Sequence, residues 1–116
     1  MRKAYFLSTC STCQKIIAQI NEPKSFEMQD IKTSSITVEQ VEEMKDMAGT
    51  YESLFSRRAM KYRSMGLNEK TLTEEDYKIH ITEEYTFLKR PVFVVDGKIF
   101  IGNSKKVVEA FLAEIQ

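Results

Sequence analysis

The chain has 116 residues, with 17 Lys plus Arg against 17 Asp plus Glu, and 42% of it is apolar. That length suits one domain with a real core, and zero net charge excludes a nucleic-acid binder working by bulk electrostatics. No apolar run reaches the roughly 20 residues of a membrane span, and the stretch after Met1-Arg2-Lys3 is too short for a signal peptide, so a cytoplasmic protein is expected.

Lys3 to Leu7 is short and partly aromatic and reads as a strand. Ser8 to Thr12 is a polar turn. From about Cys13 to Asn21, Ile16, Ile17 and Ile20 recur at helical spacing until Glu22-Pro23 breaks the pattern. Ser25 to Ile31 places Phe26, Met28 and Ile31 as a second strand, and the strand–helix–strand order implies a parallel crossover. Thr37 with Gln40 resembles a capping box, followed by Val38, Val41, Met44, Met47 and Ala48 and a stop at Gly49. Leu54 to Met65 reads as a shorter basic helix carrying Arg57, Arg58, Lys61 and Arg63, ended by Gly66. Thr73 before Glu74, Glu75 and Asp76 starts a further helix that runs to about Glu84.

The C-terminal part is the clearest. Val92 to Val95, Asp96-Gly97 and Lys98 to Ile101 spell a hairpin with a type I′ turn. Gly102-Asn103-Ser104 turns the chain and caps a last helix with Val107, Val108, Phe111, Leu112 and Ile115 on one face. The sum is an α/β fold: βαβ, a helical insertion over about 37–86, then ββα. That order predicts a thioredoxin-like four-stranded mixed sheet. With few Gly and Pro and no repeat, the chain reads as a single domain over 1–116.

Chemistry concentrates at Cys10-Ser11-Thr12-Cys13, at the first strand-to-helix junction. Backbone N–H groups at a helix start have no intrahelical partner, so a thiolate there is stabilised and more reactive at neutral pH. Cys10 is thus the expected nucleophile and Cys13, about one turn on, the resolving thiol. Zinc needs further ligands, and the lone His80 supplies no second pair, so no metal is expected. Two buried cysteines packing as small hydrophobes is the plain alternative, against which stand the polar neighbours Ser8, Thr9, Ser11, Thr12 and Gln14. Pro91 opens the Val92 strand where thioredoxin-like folds carry a cis-proline facing the CxxC loop. Arg57 and Arg58 offer forks for an oxyanion or carboxylate, although a solvated helix face accounts for most of the cations there.

These features resemble the ArsC-like family, which groups glutaredoxin-linked arsenate reductases, related small thiol reductases and Spx-type transcription regulators. The resemblance is carried by Cys10 to Lys15, by Ser56 to Leu67 with Arg, Tyr and Gly-Leu in order, by Leu88-Lys89-Arg90-Pro91-Val92, and by the end from Gly102 to Phe111. It implies a nucleophilic Cys10 and anion-binding arginines at Arg90 and Arg58, or at Arg57 if the alignment slips by one. Arsenate reductases of the family carry a His-Asn-Pro run where Phe6, Leu7 and Ser8 stand, usually lack a Cys at position 13, and have a third Arg where Gly102 stands. The first expectation is therefore a thiol-dependent reductase acting on an oxidised thiol or arsenate. It would hold no bound cofactor, take glutathione as co-substrate, and draw electrons from a glutaredoxin or thioredoxin system. The second is an Spx-like redox switch docking on RNA polymerase, without direct contact to nucleic acid or membrane. A third is a fold without turnover.

Overall fold

The computed structural model describes residues 1–116, which divide into two compact units, 1–34 with 90–116, and 35–89. The first unit holds the sheet. Strand β1 (Arg2–Phe6) leads into helix α1 (Ser11–Ile17), a 3-10 turn at Pro23–Ser25 and strand β2 (Glu27–Asp30). After the insertion come β3 (Val92–Val95), β4 (Lys98–Ile101) and the last of the helices, Lys105–Ile115. The strand order is β2-β1-β3-β4, with β2 parallel to β1 and the β1–β3 and β3–β4 pairs antiparallel. This is the thioredoxin-like mixed sheet.

Local rules account for most boundaries. The Asp96-Gly97 turn has both residues at positive φ, 49° and 86°, as a type I′ hairpin requires. Ser104 caps the last helix by accepting from the Val107 N–H. Phe111 from that helix is fully buried and stacks on Phe93 of β3 at 3.9 Å between ring centroids, while Phe26 meets both rings edge-on. Ala4, Ile16, Ile20 and Val95 complete this core.

Three expectations for this unit are corrected. Helix α1 begins at Ser11 rather than Cys13, because the carbonyl of Cys10 already accepts from the Gln14 N–H. Its end at Ile17 is earlier than Asn21, as the chain tightens into 3-10 type bonds from the Gln19 and Ile20 N–H groups. Strand β2 is shorter than Ser25–Ile31: Phe26 and Ile31 are buried outside it, and within it Gln29 is the buried residue while Met28 is exposed.

The second unit is helical. Helix α2 (Val38–Ala48) carries the Thr37–Gln40 capping box and stops at Gly49 with φ +98°. Helix α4 (Glu74–Glu83) has its own box between Thr73 and Asp76. Between them the expected helix over Leu54–Met65 is not continuous. A 3-10 turn at Glu52–Leu54 gives way to an extended Phe55, and α3 covers only Met60–Ser64. Phe55 bridges Leu88: the Ser56 N–H donates to the Phe87 carbonyl and the Lys89 N–H to the Leu54 carbonyl, at 2.7 and 2.8 Å. Those bonds take the backbone groups a helix would have used. Phe55 then becomes the buried centre of a ring cluster with Tyr62, Tyr77 and Phe87. No helix in either unit is long and apolar enough to cross a membrane.

Candidate active site

The candidate site lies in the first unit, where β1 ends and α1 begins. Leaving Phe6, the chain makes a turn closed by the Cys10 N–H on the Leu7 carbonyl at 3.0 Å. Cys10 occupies the N-cap of α1 in extended conformation, and Cys13 lies on the first turn of the helix. Both are free thiols; Cys10 is partly exposed and Cys13 is buried.

The two sulfurs differ sharply in acidity. Partial burial pushes the Cys10 thiol up, but this is outweighed by the Cys13 backbone N–H, the Cys13 S–H, the Thr12 N–H and the Arg90 guanidinium, and its pKa falls below the ordinary thiol value. No full capping bond closes on the Cys10 side chain, so these N–H groups act as nearby dipoles. Burial pushes Cys13 up to about 11, and the neighbouring Cys10 adds to the rise, against smaller opposing effects of the Leu7 N–H and Arg90. A partly exposed thiol of lowered pKa beside a buried one of raised pKa can supply a nucleophile and a reserve thiol.

Arg90 and Pro91 join the site through the sheet. Strand β3 pairs with β1 in the register Tyr5 to Val92, so the residues before Val92 come to the end of β1 that carries the Cys10 turn. The Arg90–Pro91 peptide bond is cis. The Pro91 carbonyl accepts from the Gly102 N–H at 2.9 Å and the Arg90 carbonyl from Asn103 Nδ2 at 3.3 Å. Gly102 has φ +87°, a conformation that disfavours a side chain there.

Arg57 and Arg58 lie in the second unit, in the turn before α3 rather than on a helix. Both are exposed. The Arg57 guanidinium donates to Glu52 at 2.7 Å and to the Tyr77 hydroxyl at 3.0 Å, so its fork serves the unit's own packing. Arg58 forms no ion pair. His80 packs its ring edge-on against Phe87. Sequence reasoning did not single out Asp30 or weigh Gln14 as more than a polar neighbour, yet both bond to the turn that presents Cys10.

Several solved structures share this fold. The protein YFFB is 19% identical, covers all of both chains and superposes with a TM-score of 0.84. An arsenate reductase from Vibrio cholerae is 19% identical with a TM-score of 0.74, over 99% of this chain and 97% of its own. SACOL0876 from Staphylococcus aureus COL is 26% identical with a TM-score of 0.76, over 95% and 97% respectively. No curated protein sequence matches the chain. The sequence profile of the ArsC family matches residues 5–111, from the strand before the Cys10 turn to the aromatic anchor of the last helix. With that match over nearly its whole length, on a thioredoxin-like sheet whose first turn carries the paired thiols, the chain belongs to the ArsC family.

Proposed function

We propose that the chain is a thiol-dependent reductase in which Cys10 attacks an oxidised thiol or arsenate and Cys13 resolves the adduct. The observation that carries this reading is geometric: two free thiols stand one helical turn apart, Cys10 partly exposed at the N-cap of α1 and Cys13 buried on its first turn, with the Arg90–Pro91 segment brought to the same end of the sheet. With a disulfide substrate, the Cys10 thiolate attacks one sulfur and expels the other as a thiolate, leaving a mixed disulfide on Cys10. Cys13 then gives its proton to solvent or to the departing group, attacks the Cys10 sulfur and releases the second thiol. Two electrons have passed to the substrate, and the Cys10–Cys13 disulfide is reduced by glutathione with glutaredoxin, or by thioredoxin. Arg90 is assigned the anionic part of the substrate, a carboxylate or oxyanion, while its charge favours the Cys10 thiolate. The anion-binding role that the resemblance implies for Arg58, or for Arg57, falls in the second unit; there Arg58 is exposed and outside any ion pair, whereas Glu52 and Tyr77 already engage Arg57.

An Spx-like regulator that docks on RNA polymerase is the alternative. Gly102 and Cys13 depart from the arsenate reductases of the family, toward its other thiol reductases and the Spx-type regulators alike; the position of the third Arg holds a left-handed glycine here.

The test is turnover by the purified protein on a glutathione mixed disulfide and on arsenate, with each donor system, beside site-resolved alkylation at pH 7. Cys10 is expected to label before Cys13, and Cys10→Ser to abolish turnover. Mild oxidation should remove two hydrogens within one chain. Equal labelling of both thiols, or no turnover with either donor on either substrate, would sink the reductase reading.

A further inference from the structure

Ser8 is held on both of its backbone groups. Its N–H donates to Asp30 Oδ1 at 3.3 Å, from the C-terminal end of β2. Its carbonyl accepts from Nε2 of Gln14, on the helix that follows Cys10. Asp30 is itself fixed. The same Oδ1 accepts from the Lys32 N–H at 3.2 Å, and the Asp30 carbonyl accepts from the Ser34 N–H at 2.8 Å. The Ile31 N–H donates to the Phe6 carbonyl at 2.9 Å, extending the β1–β2 ladder to the edge of the turn. One short turn, Leu7 to Cys10, is thereby tied to a strand on one side and to a helix on the other.

We infer that Asp30 and Gln14 are positioning residues, which pin the Ser8 turn and so hold Cys10 at the start of α1. The inference rests on the reading of Cys10 as nucleophile. The physical need is clear. Ordering a backbone segment costs conformational entropy, and in this turn only Leu7 is buried, while Ser8 and Thr9 are exposed and have no packing to offset that cost. The dipoles that favour the Cys10 thiolate work only while its sulfur stays beside the Thr12 and Cys13 N–H groups, so a loose turn forfeits them. Neither Asp30 nor Gln14 acts on the sulfur itself; the titratable and charged groups that do are Cys13 and Arg90.

Positioning and direct charge predict opposite signs. If Asp30 acted by its negative charge, it would disfavour the thiolate, and removing that charge would make Cys10 more acidic. If it acts by holding Ser8, removing the acceptor makes Cys10 less acidic. Asp30→Asn keeps an acceptor oxygen and discards the charge; Asp30→Ala discards both.

The experiment is the pH–rate profile for iodoacetamide alkylation of Cys10, resolved by mass spectrometry, in the wild-type chain, Asp30→Ala, Asp30→Asn and Gln14→Ala. Both alanine variants should show a raised Cys10 pKa and alkylation at pH 7 slower by roughly threefold to tenfold, the range one intramolecular hydrogen bond represents. Asp30→Asn should react at the wild-type rate or faster. Should Asp30→Ala fail to fold, Gln14→Ala decides, since Gln14 is exposed and its loss leaves the core intact. Alanine variants that alkylate at least as fast as wild type, or an Asn variant as slow as the Ala variant, would overturn the inference. A wild-type Cys10 that titrates like an ordinary thiol would instead overturn the reductase reading, so the two failures are distinct.

Discussion

Arg90 lowers the pKa of both thiols, yet the two end on opposite sides of the ordinary value. The charge is common to both; burial is not. Cys13 has no exposed surface and stays protonated, whereas Cys10 keeps some access to water and to the N–H groups at the helix start. Replacing Arg90 separates its two assigned duties. In Arg90→Ala the cation is gone, so the Cys10 pKa rises and alkylation at pH 7 slows. In Arg90→Lys the cation remains and alkylation stays near the wild-type rate. Yet turnover on an anionic substrate should fall about tenfold, because an ammonium cannot reproduce the bidentate fork. Turnover and alkylation that are both unchanged in Arg90→Ala would remove Arg90 from the site. Much of this was legible beforehand, since the Cys-x-x-Cys spacing and the Arg-Pro before a hydrophobic run are local in sequence. Asp30 was not, because its bond to Ser8 spans the β1–α1–β2 crossover and follows from the parallel pairing of Phe6 with Asp30.

At the scale of elements, sequence signals held wherever one strong local rule governed. The hairpin turn is fixed by Asp96-Gly97, α2 begins at the Thr37–Gln40 capping box, and α4 begins after Thr73, where the acidic first turn of Glu74, Glu75 and Asp76 stands. The basic stretch over Leu54–Met65 failed because its periodicity competes with a bridge to Leu88, more than 30 residues away in sequence. A buried Phe55 and two well-formed hydrogen bonds outweigh the weak helix preference of so short a segment. The terminal helix is the opposite case, since a single side chain anchors it. Phe111 is wholly buried and stacked on Phe93, and it also meets Phe26 and Phe100. Phe111→Ala should therefore destabilise the protein by about 3–5 kcal/mol, by lost transfer energy and the cavity left behind. Chemical denaturation measures this directly; a loss under about 1 kcal/mol would mean that the helix is held by its partly buried neighbours instead.

Over the whole molecule the charges balance, 17 against 17, and this bears on the choice between reductase and regulator. Binding to duplex nucleic acid draws most of its non-specific affinity from released counterions, and each neutralised phosphate steepens the salt dependence. A chain without net positive charge has little of that term, so the expectation is that a regulatory role would run through a protein surface. The expected result is no shift of duplex DNA by the purified chain at about 50 mM salt, a condition that favours electrostatic binding. Adding RNA polymerase then separates the two readings. A reductase leaves the polymerase–DNA complex unchanged whether the Cys10–Cys13 pair is reduced or oxidised, while turning over its thiol substrate. A redox-switched regulator alters that complex in one oxidation state only, and Cys10→Ser abolishes the difference. Supershift of the polymerase complex without turnover on any thiol substrate would transfer the paired thiols from catalysis to sensing. Their opposed acidities serve a sensor equally well, since a switch also needs one thiol that oxidises readily and one that closes the disulfide.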